Sequence, residues 1–129
     1  MVILDTNIII DHLRQPPGTS VLTDLLSRFS YQDLKFSLLT LQELYAGTST
    51  KVPQKEKDLL ATISQFEILP YTYEIAKLAG EIMRDLNHSI ELADAAIAAT
   101  ALINNCELAT LNRKDFAGIS ELSLFPLEY

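Results

Sequence analysis

Four acidic residues of this chain occupy positions where chemistry competes with structure to explain them. Asp5 follows the apolar run Val2-Ile3-Leu4 and opens the polar triplet Asp5-Thr6-Asn7, more than one helix cap requires. Glu43 closes Thr40-Leu41-Gln42-Glu43, a pattern that equally fits a capping box in which Glu43 reaches back to the Thr40 amide. Asp94 interrupts Leu92-Ala93-Asp94-Ala95-Ala96-Ile97-Ala98-Ala99-Thr100-Ala101-Leu102, apolar or small on almost every side and without Lys or Arg. Either the helix dipole favours it as a first-turn acid, or it faces a cation from elsewhere. Asp115 ends Thr110-Leu111-Asn112-Arg113-Lys114-Asp115, whose polar members taken singly are ordinary turn residues.

These acids are too far apart in sequence for zinc-type or EF-hand spacing, so only the fold could gather them. Gathered carboxylates repel and raise one another's pKa. An oxygen-seeking divalent ion, Mg²⁺ or Mn²⁺, removes that penalty. One such ion, or two held roughly 3.5–4 Å apart, would offer activation of water and neutralisation of phosphate charge during in-line attack on a phosphodiester.

The elements that must position them alternate. Val2–Leu4, Lys35–Leu39, Glu67–Leu69, Glu107–Thr110 and Leu122–Leu124 read as short strands. Ile8–Leu13, Ser20–Phe29, Leu41–Gly47, Gln54–Gln65, Tyr73–Asn87 and Leu92–Asn104 read as helices, with Ile75, Leu78, Ala79, Ile82, Met83 and Leu86 forming one apolar face. Alternation of this kind implies an α/β fold with a mostly parallel sheet of about five strands. In such sheets ligands bind outside the carboxyl ends of the strands, where Asp5, Glu43 and the Thr110–Asp115 cluster fall.

The chain has 129 residues, 48% of them hydrophobic, which suits one domain over 1–129 with a sizeable core. No apolar run has the ~18–20 residues of a membrane span. Asp5 within the first apolar stretch argues against a secretion signal. A single cysteine, Cys106, excludes an intramolecular disulfide framework and a cysteine-based zinc site, and fits the reducing cytoplasm. The net charge of −7 would disfavour nucleic acid if spread evenly. Concentrated in a metal site, it instead makes nucleic-acid binding depend on the metal and on a few local cations. Arg113 and Lys114, beside Asp115, are candidates, whereas Lys51, Lys55 and Lys57 fit a solvated face equally well. His12 and His88 read as structural histidines and Cys106 as a small buried hydrophobe. Tyr71 and Tyr73 suit packing at least as well as base stacking.

Asp5-Thr6-Asn7 after Val-Ile-Leu, Glu43-Leu44-Tyr45-Ala46-Gly47, Asp94-Ala95-Ala96-Ile97-Ala98-Ala99-Thr100-Ala101 and Thr110-Leu111-Asn112-Arg113-Lys114-Asp115-Phe116 together resemble the PIN-domain ribonucleases, above all the VapC-type toxins of toxin–antitoxin pairs. The likeness spans essentially the whole chain. It implies a three-layer α/β/α domain and a Mg²⁺- or Mn²⁺-dependent endoribonuclease. By position, Asp5, Glu43 and Asp94 match the family's three metal-site acids and Asp115 the fourth; Thr6, Asn7, Thr110 and Asn112 match polar neighbours that orient ligands or water. It further implies a homodimer, and a VapB-like antitoxin whose C-terminal segment fills the active site, often with an Arg. The loop Asn87-His88-Ser89-Ile90-Glu91 departs from the relatives, where a glycine is common; Glu91 is either a fifth site carboxylate or, the favoured reading, a first-turn helix residue.

Two other classes compete. A small Mg²⁺-dependent phosphohydrolase would use Asp5 as nucleophile, but generally wants a second acid two residues on, where this chain has Asn7. A non-catalytic RNA- or protein-binding module would hold its metal for structure alone.

Overall fold

A computed structural model describes residues 1–127; the last two residues of the expected 1–129 domain lie outside the described residues. Four strands, β1 (Val2–Leu4), β2 (Leu34–Ser37), β3 (Glu67–Leu69) and β4 (Glu107–Ala109), form one sheet in the order β3-β2-β1-β4. All pairings are parallel, in the register Ile3↔Lys35, Ile3↔Leu108 and Lys35↔Glu67. The α/β reading therefore stands, with four strands in place of about five. The expected strand Leu122–Leu124 contributes only a single parallel bridge, Leu108↔Leu124. Glu121 just before it is left-handed (φ 67°), and Pro126 just after it has no N–H to extend a ladder.

The helices are α1 (Thr6–Arg14), α2 (Val21–Leu26), α3 (Leu38–Ala46), α4 (Pro53–Ile63), α5 (Tyr73–Asp85) and α6 (Leu92–Ile103). Strand periodicity decides which layer each apolar residue joins. Val2 and Leu4 pack with Ile8, Ile9, Leu22, Leu25, Leu59 and Ile63 from α1, α2 and α4. Ile3 points the other way, among Ile97, Ala98, Ala101, Phe116 and Ile119. β1 is thus buried on both faces, as a central parallel strand must be. On the second face the alanines of α6 admit α5 closely, with Ile75 and Ala79 against Ala95 and Ala99. That packing seats the first turn of α6, and Asp94 with it, near the carboxyl end of β1.

One local expectation fails instructively. α3 starts at Leu38, capped by Ser37, whose hydroxyl accepts from Leu39 N–H at 3.1 Å. Thr40 is therefore inside the helix and caps nothing, which releases Glu43 from the capping box. A capping box does exist, at Ser30 and Asp33 ahead of β2, around the short 3₁₀ turn Tyr31–Asp33.

Candidate active site

Asp5 serves two purposes at once. As N-cap of α1 its Oδ1 accepts from Thr6 N–H at 2.7 Å, and its Oδ2 accepts from the Thr110 hydroxyl at 2.7 Å. Its own amide donates to Ala109 O at 2.9 Å, so the sheet ladder fixes its backbone. Thr110 is saturated: besides donating to Asp5, it accepts from Asn112 N–H at 3.0 Å and from Asn7 Nδ2 at 3.4 Å. Asn7 Oδ1 accepts from Leu111 N–H at 3.2 Å, tying α1 to the loop after β4. Asn112 Nδ2 in turn donates to Asp115 Oδ2 at 2.6 Å, on the 3₁₀ turn Arg113–Phe116.

On the β2 side the Thr6 hydroxyl lies 2.5 Å from Glu43 Oε1 and 3.0 Å from Thr40 Oγ1. A hydroxyl has one proton and an ionised carboxylate can only accept, so Thr6 donates to Glu43 and Thr40 donates to Thr6. Thr40, fully buried, is the member that sequence reasoning missed, because its Thr-x-x-Glu pattern pointed to capping. Its burial inside α3 beneath a polar partner became visible only once the helix start was known.

The structure thus brings Asp5, Thr6, Asn7, Glu43, Thr110, Asn112 and Asp115 into hydrogen-bonded chains at the carboxyl ends of β1, β2 and β4. Asp94 is the exception, since no described donor bonds it and no described cation pairs with it. Its carboxyl is pushed up to about 7, first by burial, then by the charges of Asp5, Asp115, Glu43 and Glu91. Asp5, only 5% exposed, is pushed up to about 6 by burial. Its bonds from Thr110 and Thr6 oppose that rise, while Glu43 and Asp115 add to it. Glu91 is the exposed N-cap residue of α6, makes no capping bond, and adds repulsion at Asp94.

The pair flagged for RNA divides. Arg113 donates from Nη1 to Phe125 O at 3.3 Å, holding the C-terminal segment, whereas Lys114 is exposed and makes no ion pair among the described residues. Lys51, Lys55 and Lys57 are exposed as a solvated face would be; Tyr71 packs beside α5, and Tyr73 is 83% exposed. Cys106 is buried, and burial raises its thiol pKa. His12 sets Nδ1 2.7 Å from the Ser20 hydroxyl that caps α2.

Carboxylate, hydroxyl and amide oxygens are the donors that hard divalent ions take. The observation favouring such an ion is the uncompensated charge, as four carboxylates feel one another and none has a cationic partner among the described residues. Among the described residues, no three acidic, imidazole or thiol side chains stand close enough to enclose an ion.

Comparison with known proteins agrees with this geometry. Residues 2–122 match the PIN domain. The ribonuclease VapC10 of Mycobacterium tuberculosis is 32% identical over 95% of this chain and 90% of its own length. The solved VapBC2 of Rickettsia felis, bound to a DNA fragment from its promoter, superposes with a TM-score of 0.81 at 27% identity, covering 99% of this chain and 100% of that one. A toxin–antitoxin complex from Klebsiella pneumoniae gives a TM-score of 0.78 at 29% identity, covering 100% of both chains. The chain belongs to the PIN-domain family, and within it to the VapC type.

Proposed function

We propose that the protein is a Mg²⁺- or Mn²⁺-dependent endoribonuclease, the toxin of a type II toxin–antitoxin module acting in the cytoplasm. The observation carrying this reading is Asp94, a half-buried carboxyl that feels the charges of Asp5, Asp115, Glu43 and Glu91 and has no donor or cation among the described residues. Asp5, Glu43, Asp94 and Asp115 would hold one or two ions. When bound, a divalent ion supplies charge neutralisation at the phosphate and acidification of water. The chain's own groups supply orientation. Thr6 and Thr110 lock the rotamers of Glu43 and Asp5, and Asn112 holds Asp115. Lys114, exposed and without an ion pair among the described residues, would meet an RNA phosphate at the rim.

The acidic site also favours a basic partner. A VapB-like antitoxin whose cationic segment entered it would neutralise the same carboxylates and exclude substrate, consistent with solved relatives that are toxin–antitoxin complexes. A homodimer completes the proposed assembly. The phosphohydrolase alternative loses ground because both Asp5 oxygens accept short hydrogen bonds and the residue is 5% exposed, a poor posture for a nucleophile.

The test is RNA cleavage by purified protein at catalytic concentration. Mg²⁺ or Mn²⁺ should support it and EDTA should abolish it. Cleavage that survives EDTA would overturn the metal reading, and binding without turnover would favour the tethering module.

A further inference from the structure

His88 lies in the loop between α5 and α6, and its ring bridges that loop to the segment after Asp115. Nε2 stands 2.7 Å from Ala117 O and Nδ1 3.0 Å from Ser89 O. Carbonyl oxygens only accept, so a neutral ring could satisfy one contact and would set a lone pair against the other. Both contacts together require the doubly protonated imidazolium. Those two carbonyl bonds raise the ring's pKa, helped by the negative charge of Asp115.

Each bridged segment leads to one of two like-charged acids. On one side, residues 87–91 lead into the first turn of α6, where Asp94 sits. On the other, Ala117 ends the 3₁₀ turn that carries Asp115, and Gly118 follows with a left-handed φ of 81°. Asp94 and Asp115 repel, and that repulsion pushes the two segments apart. Apolar packing of Leu86 and Ile90 with Phe116 and Ile119 resists separation but leaves sliding cheap, because dispersion contacts are non-directional. A two-ended cationic hydrogen bond fixes register as well as distance.

We propose that His88 is a positioning residue, stapling the loop before α6 to the turn after Asp115 and so fixing Asp115 relative to Asp94. The consequence for the site rests on reading those two acids as its ligands; the staple itself does not. Whole-chain variants test both parts. His88→Phe keeps a flat ring without donors, and His88→Arg supplies permanent donors at two ends. In metal-free protein, His88→Phe should speed amide exchange at Ala117, whose N–H bonds Lys114 O, by roughly tenfold, and His88→Arg should restore protection. In the presence of Mn²⁺, His88→Phe should raise the concentration for half-maximal binding by calorimetry about tenfold, the low end of what losing a ligand-orienting partner costs. RNA cleavage at saturating Mn²⁺ should change little. Unchanged exchange in His88→Phe, or an Arg variant that fails as Phe does, overturns the staple. Faster exchange with an unchanged Mn²⁺ requirement overturns its role in placing Asp115. If wild-type protein binds neither Mn²⁺ nor Mg²⁺, the metal reading falls while exchange still decides the staple.

Discussion

The two ends of the sheet treat charge in opposite ways. At the amino end of β3, Lys35 is buried to 8% exposure, yet its Nζ meets Glu67 Oε2 at 2.7 Å across the β2–β3 register. That charge is compensated within the chain. At the carboxyl ends, Asp5 and Asp94 are held in place or half-buried with no cation supplied by the described residues, and their carboxyls are pushed up to about 6 and about 7. Folding thus leaves unfavourable charge at one end only. An arrangement that costs stability and is not relieved by a neighbour points to relief from outside the chain, by a metal ion or a partner's basic segment.

The largest expected effect tests that contrast at its source. Asp94→Asn should lower RNA cleavage by at least about 10²–10³-fold, the loss typical when one preorganised electrostatic group is removed. The same variant should be no less stable than wild type without metal, because it removes a repelled charge that makes no described hydrogen bond. Cleavage kinetics and thermal melts on one sample read both. An active Asp94→Asn protein would break the comparison.

Next in size is the pH dependence of metal-free stability. Both acids have folded pKa values above the unfolded value of 3.8, so between about pH 4 and 7 the folded state binds more protons than the unfolded chain. The slope of stability against pH is then negative. Stability is fully present below pH 3.8 for these groups and is lost as pH rises through about 6 for Asp5 and about 7 for Asp94. Asp5 alone is expected to account for a loss on the order of 2–3 kcal/mol. Thermal melts from pH 4.5 to 7.5 should fall in EDTA and flatten in Mn²⁺. A rise with pH in EDTA would show that the site compensates itself.

How much of this was legible in the sequence depended on range. Asp5 and Asp94 stood out because a single strand or helix made them anomalous: an acid after Val2-Ile3-Leu4, and an acid in an alanine-rich helix. Glu43 stayed ambiguous, since the boundary of α3 decides whether Thr40 caps it, and Ser37 took the cap through a contact two residues away. The Thr6–Thr40 and Asn7–Thr110 contacts join residues brought together only by parallel pairing of β1 with β2 and β4. The fifth strand failed for a local reason, with Glu121 and Pro126 bounding a segment too short to pair beyond one bridge. In the sequence His88 reads only as a structural histidine, because its partners are backbone carbonyls, which no residue pattern announces.

A smaller effect separates the scaffold of the site from its ligands. Thr110→Val keeps shape but removes the donor to Asp5 and the acceptor for Asn112 N–H and Asn7 Nδ2. The expected cost is about 1–3 kcal/mol, as for buried groups left without partners. The Asp5 pKa should rise further, because the lost bond had been lowering it. NMR titration of the Asp5 carboxyl would detect that rise, and an unchanged value would deny Thr110 its place in the network.

The smallest effect on cleavage is expected at the other end of the sheet, and there the prediction is asymmetric. Glu67→Gln strips Lys35 of its counter-charge, but Glu67 keeps 60% of its side chain exposed, so water still reaches the pair. The destabilisation should therefore be about 1 kcal/mol, well under the 3–5 kcal/mol of breaking a fully buried pair. Cleavage and its Mn²⁺ requirement should not move, since Glu67 does not enter the charges felt by Asp5 or Asp94. A Glu67→Gln variant that changed the Mn²⁺ requirement would mean that the two ends communicate through β1 and β2. The compensated pair would then be part of what holds the uncompensated acids in place.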